Sequence, residues 1–119
     1  MKLSTLKRWL PLGEVPEIDA QALQTAMGSS QPPRILDVRT AVEWRKSRIA
    51  GALNIPVTEL GSRVGEIPFG RDEPIVAICL SAHRSIPAVR LLQQEGYKDV
   101  RQLRGGMLAW WQAGLPTGK

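Results

Sequence analysis

One seven-residue segment concentrates the reactive side chains of this chain: Cys79-Leu80-Ser81-Ala82-His83-Arg84-Ser85. Cys79 is the only cysteine and His83 the only histidine. The segment follows a continuous apolar run, Pro74 to Leu80, and leads into a helical pattern from Ser85 to Glu95, with Gly96 as its stop. A turn placed there aims backbone N–H groups inward, and the helix behind it adds the positive end of its dipole. Both favour a thiolate, the form of cysteine that attacks electrophiles. Arg84 adds a fixed positive charge, and Ser81 and Ser85 add hydroxyl donors. The implied chemistry is nucleophilic attack by Cys79 with anions held at the loop. A cysteine at a strand end is otherwise a small buried hydrophobe. The loop position and the spacing to Arg84 favour the nucleophile.

The elements that must position this loop alternate between strand and helix. Pro74–Leu80 carries no polar side chain until its end, as expected of a strand in mid-sheet covered on both faces. Arg34 to Val38 is a second buried-strand pattern, bounded by the Asp37 and Arg39 pair. Ala52 to Ile55 and Asp99 to Leu103 are further strands. Helical patterns cover Asp19 to Met27, with Asp19 as cap, and Thr58 to about Ile67, weakened by Gly61 and Gly65. Thr40-Ala-Val-Glu43 reads as a capping box opening a short helix to about Ser47. A last helix runs from about Gly106 to Ala113, with Met107, Trp110 and Trp111 on one face as core. This alternation predicts an α/β domain: a central parallel sheet of about five strands, helices on both faces and right-handed crossovers. Sites in such sheets form at the carboxyl ends of strands. Cys79 and the Asp37–Arg39 pair both fall there.

Length and composition bound the rest. At 119 residues the chain fits one domain with a core that needs no disulfide or metal. Residues 1–14 read as an N-terminal extension and 15–119 as the domain. Leu3, Leu6, Trp9 and Leu10 give the extension a short apolar stripe, expected to pack on the domain or stay loose. One cysteine and one histidine leave no set of ligands for a structural metal, so no metal is expected. No apolar run approaches the ~20 residues of a membrane span. Lys2, Lys7 and Arg8 precede no apolar signal segment, and an unpaired cysteine suits a reducing compartment, so a cytoplasmic location is expected. The formal charge of +5 is spread out, and the six aromatic residues do not interleave with it as a base-stacking surface would. Nucleic acid is not the expected partner; a small anionic substrate is.

Four segments, in order, resemble a known family. Ile35-Leu-Asp37-Val-Arg39 with Glu43-Trp44, Ile49-Ala-Gly51-Ala52-Leu-Asn54-Ile55-Pro56, the Cys79–Ser85 loop, and Leu103-Arg-Gly105-Gly106 with Trp110 and Ala113-Gly114-Leu115-Pro116 are similar to the signatures of single-domain rhodaneses. The resemblance runs from about Val15 to Gly118. It implies a rhodanese-like domain and sulfur transfer without a cofactor. Cys79 would take sulfane sulfur from a donor such as thiosulfate as a persulfide and pass it to a thiol or cyanide, with a protein as a further acceptor. Leu80, Ser81, Ala82, His83, Arg84 and Ser85 would form the substrate-binding loop. Asp37 and Arg39 would support it, Asp37 by pairing with Arg84 or by orienting the loop. Gly105 and Gly106 would permit a tight turn into the last helix.

Three loop residues depart from the commonest family pattern. Leu80 stands where many members carry Arg or another polar residue, Ala82 where Gly is usual, and His83 where Asn is common. Leu80 removes a charge that would bind thiosulfate. Ala82 matters if its φ must be positive. His83 is read as a loop side chain partly facing solvent. A thiol phosphatase loop would place Arg at position 85, which is Ser85. Two other readings share the fold: an idle rhodanese-like binding or regulatory module, and a carrier of persulfide between proteins.

Overall fold

The computed structural model describes residues 14–119. Five strands form one parallel sheet in the order β1-β5-β4-β2-β3. They are β1 (Glu17–Ile18), β2 (Arg34–Asp37), β3 (Leu53–Asn54), β4 (Ile75–Ile78) and β5 (Val100–Leu103). Between and after them run α1 (Ala20–Met27), α2 (Ala41–Lys46), α3 (Val57–Arg63) with a 3-10 turn at Val64–Glu66, α4 (Ser85–Gln94) and α5 (Gly106–Gln112). The extension expected over residues 1–14, with its apolar stripe, lies outside the described residues apart from Glu14.

The central strand shows why the alternation of polar and apolar residues disappears there. Side chains leave β4 on alternate faces, and both faces are covered. Ile75, Ala77 and Cys79 join one cluster with Leu60, Val89 and Leu92 from α3 and α4. Val76 and Ile78 join the other, with Leu23 of α1 and Met107 and Trp110 of α5. Each fully buried Leu or Ile in these layers contributes about 1.5–3 kcal/mol relative to exposure. Local signals set the helix starts. Ala22 N–H donates to Asp19 Oδ1 at 2.8 Å. At α2, Thr40 N–H donates to Glu43 Oε1 at 2.9 Å and Glu43 N–H to Thr40 Oγ1 at 3.2 Å, completing the box.

Some expectations shift. The segment before Asp19 forms β1, a two-residue strand paired with β5. The strand expected over Ala52–Ile55 contracts to Leu53–Asn54. The helix expected over Thr58–Ile67 starts at Val57 and tightens into the 3-10 turn around Gly65, a poor helix former. Trp111 is not core. It is 38% exposed, and its indole N–H donates to Ser47 Oγ at 3.1 Å, while Met107 and Trp110 turn inward.

Candidate active site

The loop is built by the end of β4, the start of α4 and the start of α5. Cys79 follows the last residue of β4, and α4 begins at Ser85. Cys79 is 1% exposed. Its Sγ accepts from Ala82 N–H at 2.8 Å and lies 3.5 Å from Ser85 Oγ. That short N–H contact is what a thiolate needs in a buried setting. It requires Ala82 to adopt φ 78, the only positive φ outside glycine among the described residues. The left-handed conformation costs an alanine about 1 kcal/mol or more, a strain that the surrounding loop holds.

Helix α5 fixes the other side of the loop. Met107 N–H donates to Cys79 O at 2.9 Å and Leu108 N–H to Leu80 O at 3.0 Å. Both loop carbonyls therefore face α5, and the trans peptide puts the N–H groups of Leu80 and Ser81 on the opposite side. Gly106 makes this approach possible. Its φ is 59, and a Cβ there would collide with the carbonyls of Cys79 and Leu80. The Gly105-Gly106 turn into the last helix takes the form expected, since both residues have positive φ.

Charge enters through two arginines. Arg84 makes a fork with Glu43 of α2: Nη1 to Oε1 at 2.7 Å and Nη2 to Oε2 at 3.0 Å. The Arg84 hydrogen bonds hold the Glu43 carboxyl down from 4.5 to about 2 against the opposing effect of burial, and bonds from Thr40 add to the lowering. Arg84 is raised in turn, chiefly by Glu43 and in lesser degree by the charges of Cys79 and Asp37. The expected pairing of Asp37 with Arg84 does not form. Asp37 instead holds Arg39, with Arg39 Nη2 donating to Oδ2 at 2.7 Å and Nε to Oδ1 at 3.0 Å. Arg39 Nη2 also donates to Ser47 O at 2.6 Å. Asn54 Nδ2 donates to the carbonyls of Asp37 and Arg39. The cause is reach: Arg39 leaves the same strand end two residues on, while Glu43 rises from α2 to face the loop.

The remaining loop residues have plain positions. Ser81 and His83 are exposed, with Ser81 Oγ 3.2 Å from His83 Nδ1. Leu80 is half-buried and puts an apolar side chain beside the sulfur-bearing residue. Reasoning from sequence missed the role of Glu43 toward Arg84, although the Glu43-Trp44 motif and the capping box both marked the residue. It also missed Gln102, which sits buried with its amide bonded to Ser85. The one signal was a polar residue two positions after Val100, on the inward side of a strand whose Arg101 faces out.

The family description "Rhodanese-like domain" matches residues 19–113. The chain belongs to the rhodanese-like family. A sulfurtransferase of Allochromatium vinosum is 38% identical over 102 residues, covering 86% of this chain and 94% of that protein. A chloroplastic thiosulfate sulfurtransferase of Arabidopsis thaliana is 36% identical over 94 residues, covering 71% of this chain and 78% of that one. Among solved structures, a rhodanese-related protein of Thermoplasma volcanium superposes with a TM-score of 0.78 at 30% identity, covering 87% of this chain and 98% of its own. The five-stranded parallel sheet is thus the rhodanese sheet, and the Cys79–Ser85 loop occupies the carboxyl end of its central strand. No helix among the described residues is long and apolar enough to cross a membrane, and no cluster among them could hold a metal ion.

Proposed function

We propose that this rhodanese-like protein is a sulfurtransferase that carries sulfane sulfur on Cys79 from a donor such as thiosulfate to a thiol or cyanide. The observation that carries the reading is the Ala82 N–H aimed at Cys79 Sγ at 2.8 Å, inside a loop closed by a helix start. The Cys79 thiolate attacks the outer sulfur of thiosulfate. A bond forms between the two sulfurs, the donor S–S bond breaks, and sulfite leaves with the electron pair. The persulfide left on Cys79 keeps one negative charge on its outer sulfur. Cyanide or an acceptor thiolate then attacks that sulfur, the Cys79 S–S bond breaks, and the Cys79 thiolate returns. Loop N–H groups and the dipole of α4 stabilise each anion in turn. No redox partner enters, and no cofactor is called for.

Ser85 borders the reacting sulfur, Arg84 feels its charge, Ser81 and His83 are the exposed side chains of the loop, and Leu80 adds a half-buried apolar one. The buried Asp37–Arg39 pair supports the strand end beside it. A small anionic donor fits this setting, with a thiol, cyanide or thiol-bearing protein as acceptor. An unpaired Cys79 suits a reducing compartment, and we place the protein in the cytoplasm on that ground.

The test is intact-mass analysis after incubation with thiosulfate or mercaptopyruvate. Wild type gains the mass of one sulfur, and Cys79→Ser gains none. Absence of uptake from every donor, or uptake by the serine variant, overturns the proposal. A phosphatase assay run beside it shows no activity, since Cys-x4-Arg closes one residue too soon for a phosphate loop.

A further inference from the structure

A chain of polar groups runs from the sulfur, under α4, to the edge of the sheet. The Ser85 hydroxyl lies 3.5 Å from Cys79 Sγ and donates to Gln102 Oε1 at 2.6 Å. Gln102 Nε2 donates to Glu17 Oε2 at 2.9 Å. Glu17 Oε1 accepts from Arg104 Nε at 3.2 Å. Ser85 and Gln102 are buried, while the Glu17 side chain is 33% exposed on β1. Gln102 reaches Ser85 because it leaves β5 on the face that carries Cys79 and α4.

The direction of this chain is set at its outer end. A carboxylate accepts hydrogen bonds and donates none. Gln102 must therefore turn its NH2 group to Glu17 and its carbonyl to Ser85. A carbonyl also only accepts, so the single Ser85 proton points at Gln102. The Ser85 oxygen then shows lone pairs to the sulfur. Held this way, Ser85 accepts from a Cys79 S–H and offers a thiolate nothing, leaving Ala82 N–H as the donor to the sulfur.

We infer that Gln102 and Glu17 are positioning residues that fix the orientation of the Ser85 hydroxyl and so restrain Cys79 toward its thiol form. The inference rests on Cys79 as the reactive sulfur and extends control of it to an acid at the far edge of the sheet. Released from Gln102, the Ser85 proton would turn to the sulfur and stabilise the thiolate.

The test measures iodoacetamide alkylation of Cys79 at neutral pH, together with ultraviolet thiolate absorbance against a Cys79→Ser blank. Glu17→Gln frees the Gln102 amide to reverse, and Gln102→Leu removes the acceptor. Each variant is expected to alkylate about threefold faster than wild type and to absorb more strongly, as one new hydrogen bond to the charged sulfur requires. In a Ser85→Ala background neither substitution changes the rate. Wild-type or slower alkylation in the single variants overturns the inference. So does the same acceleration without Ser85, which would mark the charge of Glu17 acting through space. Should Gln102→Leu not fold, Glu17→Gln at the partly exposed edge carries the test. Neither readout uses a sulfur donor, so a protein that takes up no sulfur would break the proposed function and leave this inference standing.

Discussion

Two acid–arginine pairs flank the Cys79–Ser85 loop, and they differ in almost everything except chemistry. Asp37–Arg39 is buried, with both side chains 1% exposed. Its spare donors and the nearby carbonyls are taken by Ser47 O and Asn54. Glu43–Arg84 is also a two-bond fork, made end-on through Nη1 and Nη2 where Arg39 uses Nε and Nη2, but it keeps 29% and 33% of its side chains exposed. The first pair belongs to the scaffold: its charges are cut off from water and held chiefly by each other. The second sits where solvent reaches it. Burial, more than the identity of the residues, separates a fixed strut from an adjustable contact.

The largest effect should come from breaking the buried pair. Arg39→Met leaves the Asp37 carboxylate without its partner in a dry site and should cost about 3–5 kcal/mol in urea denaturation. A loss below about 1 kcal/mol would mean that water reaches the pair and that the contrast is false.

Glu43→Gln should change stability by no more than about 1 kcal/mol, because the pair is partly solvated. Its effect should appear in transfer kinetics. Freed from Glu43, Arg84 can meet an anionic donor, and the KM for thiosulfate should fall about threefold with little change in kcat. An unchanged KM would show that Arg84 serves the loop and not the donor.

The smallest effect lies in acid. Glu43 is held at about 2 in the folded chain against an ordinary 4.5. Its folded value is the lower one, so the stability it contributes is complete above about pH 4.5 and fades as pH falls through about 2. The gap in melting temperature between wild type and Glu43→Gln should close over that window. Solvent screening keeps the stability behind that gap small, on the order of 1 kcal/mol or less. A gap that persists at the acid end would assign the stabilisation to packing.

How far the sequence reached follows the range of each interaction. The uninterrupted apolar run of β4 and the Thr40–Glu43 box are set by neighbours, and both could be read directly. So could the loop, whose parts lie within a few residues of one another. The partners of its charges could not. Arg84 had two acids to choose from, and which one it meets depends on how α2 sits over the loop. Gln102 and Glu17 lie on β5 and β1, far apart in the chain, and β1 is too short for any periodicity to show. Trp111 shares a helical face with Met107 and Trp110 by spacing, yet the contact with Ser47 draws it outward.

Gly106 carries one more consequence. The loop keeps its shape because the peptide groups of Cys79 and Leu80 are gripped by backbone that enters from a distant part of the chain, through a gap only glycine leaves open. The Cys79–Ser85 segment is therefore not a portable module. Anyone transplanting it onto another α/β scaffold would have to bring the first turn of α5 as well, since the loop is one half of a two-part joint.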